Sequence, residues 1–444
     1  METIRVTKND LKELKVIYPK NAELTTKRSA ELIAERISKR SGIEIPAADN
    51  WDFGKINLIV GNIWTERAKN LCLPLDHNRY GTFVDISEQS TDIYLSGGDE
   101  YAVWRAAHDF YAHCIGQDGS LTLAEKDLGV VDPLFVRDPF ILKKGDVYYI
   151  YKNFNNRYWV SYQSRDLIHW SDFKVVMDPE DQPPEFDAES DLWAPEVHEY
   201  HGKYYMFATY RKKGAVKHEE SGHYYRGCCI LRSDTPDGKF KLITNGLIVP
   251  QNHMFVDGKW VEDGAESWSC IDATLYVDEN DDPWIAFSHE WVSTMPHGGY
   301  FCAARLNHDL TDIEGEVHTL FNTYDGYQSN EAVTDAVYFY RTQSGQLLLL
   351  WSNFDFERGK GYRVYIARSR SGNILGPWTH DKVYLYEKDM DCIYTLYDGG
   401  HPCITYDLNG KMLLCIHSPS THHESDHLIP IKEENDTLVI DRDR

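Results

Sequence analysis

The sequence predicts an all-β, five-bladed β-propeller preceded by a small α/β domain, α+β overall, and three observations carry that prediction. One strand–turn–strand phrase returns five times after residue 130. Its copies recur at uneven intervals of roughly 55 to 80 residues, longer than the usual propeller repeats. The first 120 residues or so lack the phrase and read instead as short strands alternating with amphipathic helices. The domains are accordingly drawn at residues 1–120 and 121–444.

The first copy runs Asp138-Pro139-Phe140-Ile141-Leu142, then Gly145, then Val147-Tyr148-Tyr149-Ile150-Tyr151. The second is Ala194-Pro195-Glu196-Val197, Gly202 and Lys203-Tyr204-Tyr205-Met206-Phe207. The third opens at Asp272, the fourth at Asp335 and the fifth at His401. Each is a β-rich run, a polar or glycine-bearing turn and a second run, which is a hairpin signal. Five hairpins in succession predict five blades.

In a propeller the first strand of each blade lines the central channel, so the five opening residues converge on one axis. Three of them, Asp138, Asp272 and Asp335, are carboxylates, and acidic groups are rarely buried together without purpose. Taken singly, an Asp before Pro or Ala only opens a strand after a turn. A hairpin also returns the end of its second strand to the same face, which adds Asn153, Arg211, His289-Glu290-Trp291, Ser352-Asn353 and His417-Ser418. This polar and aromatic list suits the mouth of a sugar site. Trp193, Tyr210 and Trp291 stand where a sugar face would stack, with blade packing as the competing role.

Residues 1 to about 120 give a strand at Val16-Ile17-Tyr18 and a helix after Thr25-Thr26 that ends at Ser41-Gly42. Strands follow at Asn57-Leu58-Ile59-Val60 and Thr91-Asp92-Ile93-Tyr94-Leu95, and Gly97-Gly98-Asp99 opens a second helix. The glycine pair lacks the Lys of a phosphate loop and the GxGxxG spacing, so it reads as a turn that caps the helix. Gln117-Asp118-Gly119-Ser120 marks the boundary. Beyond it, Ser164 to Trp170, Leu306 to Leu310 and Ser369 to Trp378 read as the outer strands of blades. Asp178 to Asp191 reads as an acidic surface loop, and Arg211 to His223 as a basic rim insertion.

Composition narrows the partners. A formal net charge of -24 over 444 residues disfavours nucleic acid and anionic membranes. The 29 Tyr and 12 Trp suit a β-rich core with carbohydrate-stacking surfaces. No stretch is long and apolar enough to span a bilayer, and the N-terminus lacks the basic-then-apolar leader pattern. Nine cysteines without zinc spacing read as reduced thiols, giving a cytoplasmic protein as the expectation. His417, His422, His423 and His427 lie on a polar stretch without the helix- or strand-held pairs of a zinc site. Self-association through the N-terminal domain is a further expectation.

The phrases RDPFILKKGDVYYIY, SRDLIHW, DLWAPEVHEYHGKYYMFATY, IDATLYVDENDDPWIAFSHEW, TDAVYFYRTQSGQLLLLWS and DGGHPCITYDLNGKMLLCIHSP, in that order, resemble glycoside hydrolase family 43 and its five-bladed relatives. The likeness spans most of residues 130 to 420. It implies an inverting hydrolase of arabinofuranosyl, xylosyl or galactosyl linkages, and the leading expectation is exo action on short oligosaccharides. It places Asp138 on the general base, Asp272 on the carboxylate that tunes the acid, and Asp335 on the general acid, where the family usually has Glu. His401 matches an axial His that helps to hold a calcium ion or a water; no cofactor is otherwise required. An inverting hydrolase needs one carboxylate to activate water and one carboxylic acid to protonate the leaving oxygen. Asp reaches less far than Glu, so Glu290, on the same face, is kept as second candidate for the acid. Glu196, Arg211, His289, Asn353 and His401 join the aromatic residues as sugar contacts. Residues 1 to about 100, with LSGGDEYAVWRAAHDFYAHCIG, resemble the small non-catalytic domain that precedes β-hexosaminidase and α-glucuronidase catalytic domains. Two alternatives stay open: a five-bladed glycoside phosphorylase using Arg211-Lys212-Lys213 for phosphate, and a carbohydrate-binding propeller without a working acid.

Overall fold

The second strand of each repeated hairpin is a run such as Leu347-Leu348-Leu349-Leu350-Trp351, apolar on both sides, which only a strand buried between neighbours tolerates. All five residues of that run are fully buried. The computed structural model describes residues 3–49, 53–62, 75–248, 254–256, 259–261 and 268–444. Its contacts divide into two compact units: Met1–Leu134 with Asp389–Leu396 and Arg444, and Phe135–Lys388 with Tyr397–Asp443.

In the first unit, parallel strands Leu14–Ile17, Ile56–Val60 and Thr91–Gly97 form the centre of a six-stranded sheet. Tyr80–Ile86 and Gly129–Val131 continue it antiparallel. Two helices accompany it, α1 (Leu24–Ser41) and α2 (Glu100–His113). Helix α1 ends as expected at Gly42, whose φ of 73° is the left-handed turn that glycine makes at least cost. Its start differs from the expectation. Glu23 is the N-cap, and Thr25 in the first turn instead gives its N–H and hydroxyl to the Glu100 carboxylate. In α2 the Asp99 carboxylate caps the Ala102 N–H at 2.8 Å. The preceding glycines are needed for space: a Cβ on Gly97 would strike the first turn of α2, and one on Gly98 would strike the Asp76 carbonyl. That agrees with a turn rather than a phosphate loop.

The second unit is a five-bladed β-propeller. Blade I comprises Phe140–Lys144, Val147–Phe154, Tyr158–Ser164 and Lys174–Met177. Blade II comprises Ala188–Tyr200, Lys203–Lys212, Gly227–Ser233 and Lys241–Leu242. Blade III has Cys270–Val277, Pro283–His289, Tyr300–Leu306 and Ile313–Asn322. Blade IV has Asp335–Arg341, Leu347–Asp355, Gly361–Ser369 and Trp378–His380. Blade V has Gly400–Tyr406, Met412–Ser418, Ser425–Glu434 and Thr437–Ile440. Every blade is an antiparallel meander in chain order, and the five first strands touch one another in a closed cycle. The ring is clasped where the chain enters it: the Val136 N–H bonds the Glu424 carbonyl at 2.9 Å, and Phe135 bridges Ser425.

Three sequence pieces expected as outer strands are the turns that lead into them. In the first, the Asp166 carboxylate accepts the N–H groups of Ile168 and His169 at 2.9 and 2.8 Å, a side-chain turn that Asp forms readily. The Asp178–Asp191 stretch is only partly loop, because the first strand of blade II already begins at Ala188. Likewise the second strand of that blade runs to Lys212, and Lys217 bridges Tyr224 within the insertion. No described helix is long and apolar enough to cross a membrane.

Candidate active site

The site is built by a backbone device repeated around the axis. Asp138, Ala194, Asp272, Ala336 and His401 all have positive φ, between 40° and 61°, a conformation costly for residues with a Cβ. In blades II to V the strand register shifts at this point, so a bulge turns each first strand toward the axis. Three of these residues give their N–H to a side chain on the second strand of the preceding blade. Asp272 donates to Thr209 Oγ1 at 3.1 Å, His401 to Ser352 Oγ at 2.9 Å, and Asp138 to His417 Nδ1 at 3.2 Å across the closure of the ring. In blade IV the left-handed residue is Ala336, one place beyond Asp335. Its N–H goes to the Asp272 carboxylate itself, at 3.0 Å from Oδ2. The assumption of strict register across all five opening residues is therefore off by one in this blade.

The structure brings Asp138, Asp272, Asp335 and His401 together in one cluster. Asp138 Oδ1 lies 3.0 Å from His401 Nδ1 and 3.5 Å from His417 Nδ1, with Arg137 Nε at 3.8 Å. Burial alone would favour the neutral acid, but His401 and Arg137 outweigh it and hold Asp138 well below the usual carboxylate range. The reciprocal effect overcomes the burial of His401 and pushes its imidazolium up to about 10. Burial drives His417 the other way, down to about 3, so its ring is neutral and Nδ1 is free to accept the Asp138 N–H.

The other two carboxyls move upward. Asp272 is buried and, with Asp138 and Glu196 nearby, is raised to about 6 against the pull of His401 and the Ala336 N–H. Asp335 is raised to about 8, first by burial and then by the charges of Asp272 and Asp138. Its Oδ2 accepts a hydrogen bond from the Tyr362 hydroxyl at 3.1 Å. At neutral pH the cluster thus holds an ionised Asp138 and a protonated Asp335, with Asp272, at about 6, mostly ionised beside them.

Glu290 belongs to a second network at the rim of blades II and III. Ser269 Oγ donates to its Oε2 at 2.6 Å, and Arg226 Nη1 lies 3.5 Å away. Burial raises Glu290, while Arg226 and Ser269 oppose the rise. Arg226 also pairs with Asp191 at 2.9 Å and lies over the Trp193 ring at 4.1 Å.

Several expected sugar contacts are spent on the protein. Asn353 is fully buried, and its amide donates to Thr323, Ser329 and the Glu331 carbonyl while accepting from Phe354, so it braces a loop. Tyr210 is buried against Phe186 with its hydroxyl on Asp187, a packing role. Arg211 donates twice to Ser190 Oγ, pairs with Glu189 and Asp191, and covers Tyr224. That engagement commits Arg211 to the protein. Glu196 is buried with its carboxylate 3.1 Å from His198 Nε2. His289, driven down to about 3 by burial, stacks on Trp268 at 3.6 Å. Trp193 and Trp291 stay partly exposed at the rim.

The residues around His401 do not fit a calcium ion. Calcium takes oxygen ligands, whereas here an imidazolium already satisfies the Asp138 carboxylate. Among the described residues no group of three or more His, Cys, Asp or Glu has a metal-holding arrangement.

Reading from hairpins overlooked Tyr362, Arg226, Ser269 and Thr209. Tyr362 and Arg226 stand at the starts of third strands, which the repeated phrase does not include, and only the Gly361-Tyr362 turn marks the first of them.

A five-bladed propeller with an axial group of carboxyls in opposed protonation states defines a hydrolytic class of site. Residues 129–435 match the glycosyl hydrolases family 43 model, and the chain belongs to that family. An endo-arabinase from Bacteroides thetaiotaomicron is 33% identical, covering 69% of this chain and 98% of its own, with a TM-score of 0.55. An extracellular exo-α-(1→5)-L-arabinofuranosidase from Cellvibrio japonicus is 24% identical over 259 residues. The match takes in 55% of this chain and 66% of that relative, so just under two thirds of its length is spanned. An α-L-arabinofuranosidase from Lactobacillus brevis, 14% identical with a TM-score of 0.53, shares the fold, over 70% of this chain and 95% of its own.

The cytoplasmic location expected from the cysteines is corrected by the Cellvibrio relative, which is an extracellular enzyme. The physical reason lies in the core. All eight described cysteines are buried and none forms a disulfide, so they behave as small apolar residues and carry no information about compartment.

Proposed function

We propose that this protein hydrolyses α-L-arabinofuranosyl linkages at chain ends, with inversion at the anomeric carbon. The observation that carries the proposal is the split in protonation between Asp138 and Asp335 on one axis. Environments that push two carboxyls apart assign the base and the acid. Asp138 takes a proton from a water as that water attacks the anomeric carbon. Asp335 gives its proton to the departing glycosidic oxygen as the bond to the sugar breaks. Asp272 accepts the Ala336 N–H, fixing the backbone beside the acid, and its charge keeps Asp335 protonated. Inversion follows from a single displacement by water, which needs the two carboxyls far enough apart to admit it, roughly 6.5–9.5 Å.

Asp335 is preferred to Glu290 because Glu290 is held by Arg226 and Ser269 in the rim network. The sugar is proposed from the arabinan-cleaving relatives. Exo action is proposed from the Cellvibrio relative, which is an exo-acting enzyme. The test is turnover of aryl α-L-arabinofuranosides beside xylosides and galactosides, with the product anomer read by proton NMR in the first minutes. Inverted arabinose, single-sugar release from linear arabinan and loss of both in Asp138→Ala are expected. Retained configuration, or internal cleavage of arabinan, would count against the mechanism or the exo reading respectively.

A further inference from the structure

The acid carries an Asp where a longer Glu is usual, and a short side chain has few rotamers with which to find its target. The geometry points to Tyr362 as the positioning residue that compensates: its hydroxyl holds Asp335 Oδ2, leaving Oδ1 to carry the proton toward the leaving oxygen. This rests on the reading of Asp335 as the general acid.

Tyr362 is built not to move. It is 1% exposed, and its ring is stacked between Phe354 (4.4 Å, 26°) and His417 (5.4 Å, 26°). Its N–H is anchored on the Asp398 carboxylate at 3.0 Å. The neighbouring chain yields space for the ring, since any Cβ on Gly400 would run into it. Burial and the nearby carboxylates keep the phenol protonated, well above its ordinary range, so it remains a donor throughout the pH range of the reaction. With the backbone beside Asp335 pinned through Ala336 to Asp272, the carboxyl is held from both ends. The same ring lies against His417, which accepts the N–H of the base, Asp138. One aromatic contact therefore ties the support of the acid to the support of the base.

The catalytic step balances without a further reactant. The proton on Asp335 Oδ1 passes to the glycosidic oxygen, the sugar–oxygen bond breaks, and the water that attacks loses its proton to Asp138. Tyr362 keeps its own proton and transfers nothing.

Tyr362→Phe retains the ring and its packing and removes only the hydroxyl. A hydrogen bond to an ionisable group is worth on the order of 1.5–3 kcal/mol, so kcat with a poor leaving group should fall about 10- to 100-fold. The loss should be much smaller with an activated aryl leaving group, which needs no acid. Because the phenol also stabilises the ionised carboxyl, its removal should move the alkaline limb of the pH profile upward. Adding Tyr362→Phe to Asp335→Asn should cost nothing further. Equal losses on both substrates, or a loss that persists in the Asp335→Asn background, would overturn the proposal. Carbon-13 NMR of the Asp335 carboxyl supplies a readout independent of turnover: its titration should shift upward in Tyr362→Phe. An unshifted titration refutes the contact, whereas an inactive wild type with a shifted titration would refute only the proposed reaction.

Discussion

Asp138 and Asp335 have opposite preferences for the proton, and residue-scale predictions follow from that contrast. Asp138→Ala should lower turnover about 10²- to 10⁴-fold whatever the leaving group, the usual size of a general-base contribution. Asp335→Ala should fall as far on arabino-oligosaccharides yet retain most of its rate on an activated aryl glycoside. Glu290→Ala, which loosens Arg226 over Trp193, should cost the same factor on both. Comparing the three variants across leaving groups checks all of this. The pH profile has a defined sign. Activity should fall as pH rises through about 8, where Asp335 loses its proton, and as pH drops below about 6, where Asp272 and then Asp138 gain one. The limbs belong to the coupled cluster rather than to any one residue. A wild-type rate still rising at pH 9 would contradict the assignment.

At the scale of elements, the bulged first strand is what turns a blade toward the axis, and the hydroxyl behind it holds the turn. Ser352→Ala leaves the buried His401 N–H without its acceptor, which should cost about 1–3 kcal/mol. Thermal unfolding measures that loss, and an unchanged midpoint would mean the hydroxyl is dispensable. Gly400→Ala should destabilise by a similar amount through the forced shift of the Tyr362 ring, and should impair turnover as well. The hairpins themselves were legible because a buried strand must be apolar along its length and its turn must supply glycine or polar residues. Asp138, Asp272 and His401 were legible for the same reason, since each opens such a strand. The left-handed place of Ala336 was not, because nothing in Asp335-Ala336-Val337 distinguishes which residue takes the bulge. Tyr362 and Arg226 escaped because strand pairing across the blade, and not local spacing, brings one to the axial cluster and the other to the rim.

On the whole molecule, the acidic axis is a cost to stability that pH should expose. The pKa of Asp335 is higher in the folded protein than its ordinary 3.8, so its favourable contribution is complete below about 4 and is lost as pH rises toward 8. Asp335→Asn should therefore be more stable than wild type by about 1 kcal/mol near pH 8, with the gain shrinking toward pH 4. Denaturant unfolding at the two pH values measures the difference, and an equal or inverted gap would contradict the burial of that charge. His401 has the same sign at higher pH: the support given by its imidazolium is complete below about 6.5 and is lost as pH rises toward about 10. The resting balance of the axis is thus one ion pair set against two carboxyls that resist ionising.

The hydrogen bonds behind the axial residues also have a direction. Blade III leans on blade II through Thr209, blade V on blade IV through Ser352, and blade I on blade V through His417. For a chain emerging from the ribosome, His417 is made almost 280 positions after Asp138, whose N–H it accepts. The Asp138 N–H therefore waits through most of synthesis for its acceptor, which arrives only with the last blade.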